Sequence, residues 1–273
     1  MSSIAITDHG YLHGVVEFYK ACKKNEVKPI LGVEAYITND TDNSAEHVRD
    51  NFHLVLLAKS LTGWKNLVWL STNAALNNFY YKPRINKQLL KEHSEGLIAL
   101  SGCLGGETSE TLFSKGVDEA ERIIEEYKES FVDSFFLEMQ DPSNIGEKQE
   151  LLNRFLKAMH KKHKIPLALT ADAHFLKCSD TDIHNLIMAI QLKKTLTEYM
   201  SGDSMHLPAT CYVRPSEDMY KLSLEVIGTG EAASNTSYIS NMCEDFSLLP
   251  SHPLLPKIDI DKDFILWQTQ MNQ

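Results

Sequence analysis

The chain has 273 residues, 43% hydrophobic and 23% charged, with a formal net charge of −10. That is the make-up of a folded chain long enough for one α/β barrel or two smaller domains. The acidic balance argues against a broad nucleic-acid-gripping surface, which needs clustered Lys and Arg, but leaves room for a metal site acting on one phosphodiester.

The first apolar run, 3–7, reads as a strand and delivers Asp8, His9 and Gly10. A helix follows over 14–25, with Val15, Phe18, Tyr19 and Cys22 at helical spacing. Strand 28–37 carries Glu34, and strand 52–58 carries His53 near its start. A helix over 63–76 sets Trp64, Leu67, Val68 and Ala75 on one face. Strand 96–102 runs into Cys103 and the sequence LGGE. The helix over 117–131 has an apolar stripe through Ile123, Ile124 and Tyr127. After strand 134–140, a helix over 147–163 begins acidic and ends basic, which suits the helix dipole and leaves His160 and His163 solvated. Strand 166–172 ends in Asp172, with His174 two residues on, so both side chains leave on one side. Beyond about residue 195 the pattern weakens. Residues 195–211 read as a long loop, Ser216 as the cap of a helix, 231–246 as a last helix, and the Pro-rich tail as extended.

This alternation argues for βαβ units and a mainly parallel sheet. Six strands are too few for a complete eight-stranded barrel, so an open doubly wound sheet or a barrel missing its beginning is expected. Chemistry in such folds sits beyond the carboxyl ends of the strands. There the chain offers His9, Glu34, His53, Cys103, Asp172 and His174, the side-chain types of a metal-ligand set. Each has an ordinary alternative: a turn histidine, a surface glutamate, a strand-start histidine, a small buried thiol or a loop residue. No GxSxG, Walker A or GxGxxG sequence competes. Asp259 and Asp261 look like a paired-carboxylate site but stand in the Pro-rich tail. The odd cysteine count without a CxxC pair, no apolar run of membrane-span length and no leader pattern point to the cytoplasm.

The segments IAITDHGYLHGVVEFYKACKKNEVKPILGVEAYI, FHLVLLAKSLTGWKNL, FYYKPRI, EGLIALSGCLGGE and LALTADAHFL, in that order, resemble the amino-terminal PHP (polymerase and histidinol phosphatase) domain of bacterial replicative DNA polymerase III alpha subunits. The likeness covers roughly residues 3–200 and more loosely reaches 257. SGCLGGE and YYKPRI set the polymerase branch apart from small PHP phosphatases.

The resemblance implies a distorted (β/α)7 PHP barrel with a three-metal cluster at the strand ends. It places His9, Glu34, His53, Cys103, Asp172 and His174 among the metal ligands. The family's opening strand, with an HxH pair and a following Asp, would stand before Met1. The expectation is therefore a barrel lacking its first strand and helix, with a PHP domain over 1–245 and a tail over 246–273 leading towards absent polymerase domains. One metal trio, Glu34, His53 and Cys103, would be intact, and the other two sites would keep two ligands each. The donor types favour zinc, with manganese as the alternative. The implied function is a fragment of a replicative DNA polymerase carrying an impaired 3′–5′ exonuclease-type phosphoesterase site. Its partners would be a DNA 3′ end and the other polymerase subunits, and Arg84 would contact phosphate. Tyr80 and Tyr81 are expected to pack. A stand-alone PHP phosphatase and a non-catalytic scaffold are the alternatives. Open strand edges also imply self-association.

Overall fold

A computed structural model describes residues 1–39, 50–143, 146–201, 207–249 and 271. The strands are β1 (Ser3–Ile6), β2 (Lys28–Thr38), β3 (Phe52–Ala58), β4 (Phe79–Tyr80), β5 (Lys82–Asn86), β6 (Leu97–Leu100), β7 (Phe135–Met139) and β8 (Leu167–Leu169). The helices are α1 (Val15–Lys24), α2 (Leu61–Asn77), α3 (Lys87–Glu92), α4 (Glu107–Lys115), α5 (Val117–Phe131), α6 (Glu147–His163), α7 (Thr181–Gln191), α8 (Leu196–Ser201), α9 (Ser216–Ile227) and α10 (Glu231–Met242). The strands form one curled, incomplete barrel in the order β4–β5–β2–β3–β6–β7–β8, with β1 also on β2.

The longest strand, β2, organises the sheet. One edge pairs with β3 through residues 32–37. The opposite edge is shared: β1 takes residues 28–31 and β5 takes residues 36–38, both parallel. The expectation of a mainly parallel sheet needs correction at β3 and at β4, which runs antiparallel to β5. β3 runs antiparallel to both β2 and β6. The amino-terminal end of β3 therefore lies beside the carboxyl ends of its neighbours, which is where His53 is needed. β4 and β5 escaped the sequence reading because Lys82, Pro83 and Arg84 break the apolar pattern.

Alternation along each strand divides two apolar layers. Val33, Ala35, Ile37, Leu54, Leu56, Leu97, Ala99, Phe135, Leu137 and Met139 pack outward against α2, α5 and α6. Ile30, Leu57, Ile98, Leu100, Phe136 and Ala168 point into the curl, where Ile239 of α10 and Cys243 close its lower end. Polar bonds fasten that plug: Lys28 Nζ donates to the carbonyls of Ser240 and Cys243, and Asn235 donates to Leu167 O.

Other details depart from expectation. The buried stripe of α2 is Gly63, Leu67, Leu70 and Ala74, while Val68 and Ala75 face solvent. The span 195–211 contains α8. Ser216 opens α9 as its first residue without capping it, since Pro215 occupies the N-cap position. The last helix ends at Met242 rather than 246. Asp259, Asp261 and nearly all of the tail lie outside the described residues. Helix α5 buries Ile123, Ile124 and Tyr127 as its spacing requires.

At the start of α2, Ser60 accepts a hydrogen bond from Gly63 N at 3.2 Å. A Cβ on Gly63 would come within 1.7 Å of the Gly96 carbonyl oxygen, so only glycine lets this helix approach the strand that follows. Gly63→Ala is expected to destabilise the chain by at least about 2 kcal/mol through backbone displacement. Urea unfolding checks this; an unchanged midpoint would show that the contact yields freely.

Candidate metal centre

At the upper end of the curl, the inward-facing positions change from apolar to ligand-like. On β2, Ile30 and Gly32 give way to Glu34 and Tyr36. On antiparallel β3, Leu57 and Val55 lead to His53. On β8, Ala168 leads to Thr170 and then Asp172. Backbone pairing fixes the flanking loops. His9 bridges Glu34, and Gly10 N donates to Glu34 O at 2.8 Å. His53 N donates to Gly105 O at 2.8 Å, which holds the Cys103 turn against β3. Gly102 has φ +82°, and a Cβ there would sit 2.4 Å from the His53 carbonyl. His174 N donates to Cys211 O at 2.9 Å, and Asp172 has a left-handed backbone with φ +47°.

Glu34 is the hub. It is 7% exposed, with Oε2 2.9 Å from His9 Nδ1 and Oε1 2.8 Å from His53 Nδ1. Cys103 Sγ lies 3.4 Å from His53 Nδ1 and 3.9 Å from Glu34 Oε1. Burial works to raise the Glu34 carboxyl, but the hydrogen bonds and charge of His53 and His9 win and bring it down to about 2. The Glu34 hydrogen bond in turn raises His9 above its ordinary value. Burial and the charges of Asp172 and Glu34 push the Cys103 thiol well up. Burial and Glu34 raise Asp172, with the nearby histidines opposing.

Glu34 thus carries negative charge between its two histidines, while the Cys103 thiol is held towards its protonated form. Tetrahedral ligands of a zinc-sized ion stand about 3.3–3.6 Å apart, given bond lengths of about 2.0–2.3 Å. The Glu34, His53 and Cys103 donor atoms all lie within 4.8 Å of one another, so this trio fits a divalent metal. His9 and His174 face the same space, their ring centroids 5.5 Å apart, and His9 and His53 are 5.9 Å apart. The His174 ring meets its own loop through Asp172 O at 2.7 Å, and its Nδ1 is 3.8 Å from Asp172 Oδ1. All six expected residues thus border one cleft, and three of them form a compact donor set.

Arg84 is placed differently. It is 2% exposed, with Nη1 3.5 Å from Thr38 Oγ1 and 3.9 Å from Asp50 Oδ1 and with its guanidinium over the Tyr80 ring. As placed it braces β5 against β2, with little of its side chain open to solvent. Tyr80 is half-buried, whereas Tyr81 is 74% exposed beside a cavity of about 340 Å³ lined by both tyrosines, Asp50, Asn51 and Arg84.

Another grouping, Glu121, Glu125 and His163, joins α5 to α6. The Glu121 carboxylate already meets Lys162 Nζ and His163 Nε2, each at 2.5 Å, so its charge is answered. His163 is therefore a hydrogen-bonded strut between α5 and α6 rather than a solvated side chain, and His160 Nδ1 bonds Ile165 O at 2.8 Å.

Sequence reasoning passed over two groups. His184 on α7 sits edge-on to His174, with centroids 6.2 Å apart, and burial lowers its pKa. Glu138 on β7 is 4% exposed, and its carboxylate accepts from Thr170 Oγ1 at 2.6 Å. Burial, with help from Asp172 and Glu34, raises Glu138 to about 7 against the lowering effect of Thr170 and Gln140. A lone acid inside the apolar run SFFLEMQ was the available signal, as it was for Glu34.

A half-closed α/β barrel with a His, Glu and Cys cluster at the strand ends defines a class of α/β barrels with a candidate metal centre, and comparison with known proteins fits it. Residues 1–142 match the PHP domain family, and the chain belongs to that family. It is homologous to the DNA polymerase III alpha subunit: 38% identical over 253 residues to that of Helicobacter pylori, 39% over 272 to that of Aquifex aeolicus and 39% over 248 to that of Thermus aquaticus. These alignments cover 89%, 96% and 89% of this chain but only 20%, 23% and 20% of the relatives, so the chain spans about a fifth of their length. Among the described residues no helix is long and apolar enough to cross a membrane.

An acid whose folded pKa is raised loses stability as pH climbs from its unfolded value towards the folded one. For Glu138 that window runs from 4.5 to about 7. Metal-free protein is expected to lose a few kcal/mol across it from this group. Glu138→Gln should flatten that part of the pH–stability curve in thermal melts. Parallel curves for the two proteins would show that Glu138 is ionised throughout.

Proposed function

We propose that the chain is the PHP portion of a replicative DNA polymerase alpha subunit. In this reading its cleft holds one divalent cation on Glu34, His53 and Cys103 and acts weakly on phosphodiesters at a DNA 3′ end. The observation that carries the proposal is the convergence of carboxylate, imidazole and thiol in one partly buried cluster. Residues 1–245 form the PHP unit and 246–273 lead on from it. Likeness to polymerase alpha subunits supports DNA and other replicative subunits as partners. A reducing, cytoplasmic setting suits the free thiols.

Zinc is favoured because thiolate and imidazole are its common donors, with manganese as the alternative. When bound, the cation would polarise a phosphodiester oxygen and acidify a water. The chain's own residues would do the rest. Glu34 remains anionic at neutral pH and shares its two oxygens between His9 and His53. His9 and His174 stand at the mouth, where their ring N–H groups can donate to phosphate oxygens. Asp172 adds a second carboxylate to the same wall. Weak activity follows because Glu34, His53 and Cys103 are the one compact donor set in the cleft among the described residues, while three-metal PHP sites spread the work over several sets.

Two measurements test this. Elemental analysis should find about one zinc or manganese ion per chain, and Cys103→Ser should lower affinity by more than the ~10–100-fold that loss of a ligand's supporting partner costs. Terminal-nucleotide release from a single-stranded oligonucleotide should be slow and abolished by chelator. A metal-free chain, or a Cys103→Ser variant that keeps its metal, would contradict the site. Rapid turnover would contradict the single-cation reading, and a metal-loaded chain without any release would favour the scaffold.

A further inference from the structure

Glu138 belongs to none of the donor sets named so far, yet the sheet aims it at them. Val55 pairs with Leu100 and Leu100 with Phe136. One step up the inward face, the same layer holds His53, Gly102 and Glu138. Gly102 has no side chain, so nothing from β6 stands between the imidazole and the carboxylate. Glu138 is 4% exposed. Its backbone N–H donates to Ser101 Oγ at 2.9 Å and its Oε1 accepts from Thr170. Its Oε2 is buried and makes no hydrogen bond among the described residues.

A buried carboxylate oxygen without a donor is costly, and native structures rarely leave one. Thr170 and Gln140 favour its charged form, but the charged neighbours that act on it, Asp172 and Glu34, are both acidic, and no donor reaches Oε2 among the described residues. A cation or a water carried by one can fill that place. Glu138 lies outside the trio whose ligand atoms gather within 4.8 Å, which points to contact through water.

We propose that Glu138 Oε2 accepts a hydrogen bond from a water carried by the divalent cation at Glu34, His53 and Cys103, while Thr170 fixes the carboxylate by its other oxygen. This rests on the metal reading above and adds a residue to it. Glu138 is a positioning residue: it holds the water in place without touching the metal.

The test measures Zn²⁺ and Mn²⁺ affinity by competition with a chromogenic chelator, using wild type, Glu138→Gln and Thr170→Val. Glu138→Gln is expected to weaken binding about 10–100-fold. Thr170→Val, which frees Oε1 but keeps the shape, should weaken it by a smaller factor. In Mn²⁺-loaded protein, water-proton relaxation should show faster water exchange in Glu138→Gln than in wild type, a change that altered packing alone would not give. Wild-type affinity and exchange in Glu138→Gln would overturn the inference. Should that variant not fold, wild-type values in Thr170→Val would overturn it equally. Binding that requires Cys103 but not Glu138 would defeat this inference alone, whereas a wild type that binds neither ion would defeat the metal reading with it.

Discussion

A carboxylate buried inside the longest strand is the constraint on which this site depends. Glu34 cannot stay charged there without partners, and it has two imidazoles, one on each oxygen. That arrangement ties three separate pieces of chain together: the loop after β1, the middle of β2 and the start of β3. Without His9 and His53, burial would drive the carboxyl towards neutrality, and the pull between these pieces would go. The same carboxylate lies 3.9 Å from a thiol that burial keeps protonated. A cation on these groups would displace that thiol proton, so binding should release protons.

The sheet makes this meeting possible through one reversal. In an all-parallel arrangement, a residue at the start of a strand would stand at the far end of the barrel from the ends of its neighbours. Because β3 runs the other way, His53 comes within 2.8 Å of Glu34 Oε1 and 3.4 Å of Cys103 Sγ. The lower part of the same inward face is apolar and stoppered by Ile239 and Cys243. The result is a cup with an apolar floor and a rim of carboxylates, imidazoles and a thiol.

Much of this was legible in the residues. Apolar runs located six of the eight strands, and the 3.6-residue stripes located α1, α5 and α6. The ligand types came from polar residues at strand ends, and FHL, SGC and ADAH carried the family. Other features depend on contacts that no local pattern records. The direction of β3 is seen only in its pairing with β2 and β6, and β5 is a strand because β2 offers it a free edge. Arg84 is buried because Thr38, Asp50 and Tyr80 meet it from other segments. Glu138 looked like one acid among many until Gly102 left a gap beside it. His163 read as a solvated end of a basic helix, but α5 brings Glu121 to it.

The central claim is that carboxylate, imidazole and thiol from β2, β3 and the turn after β6 close on one ion. Zinc-edge X-ray absorption of the purified, zinc-loaded chain tests it most directly. The account predicts a sulfur neighbour at about 2.3 Å together with nitrogen and oxygen neighbours at about 2.0–2.2 Å, the sulfur vanishing in Cys103→Ser. A spectrum with no sulfur neighbour, or one unchanged by that substitution, would contradict it.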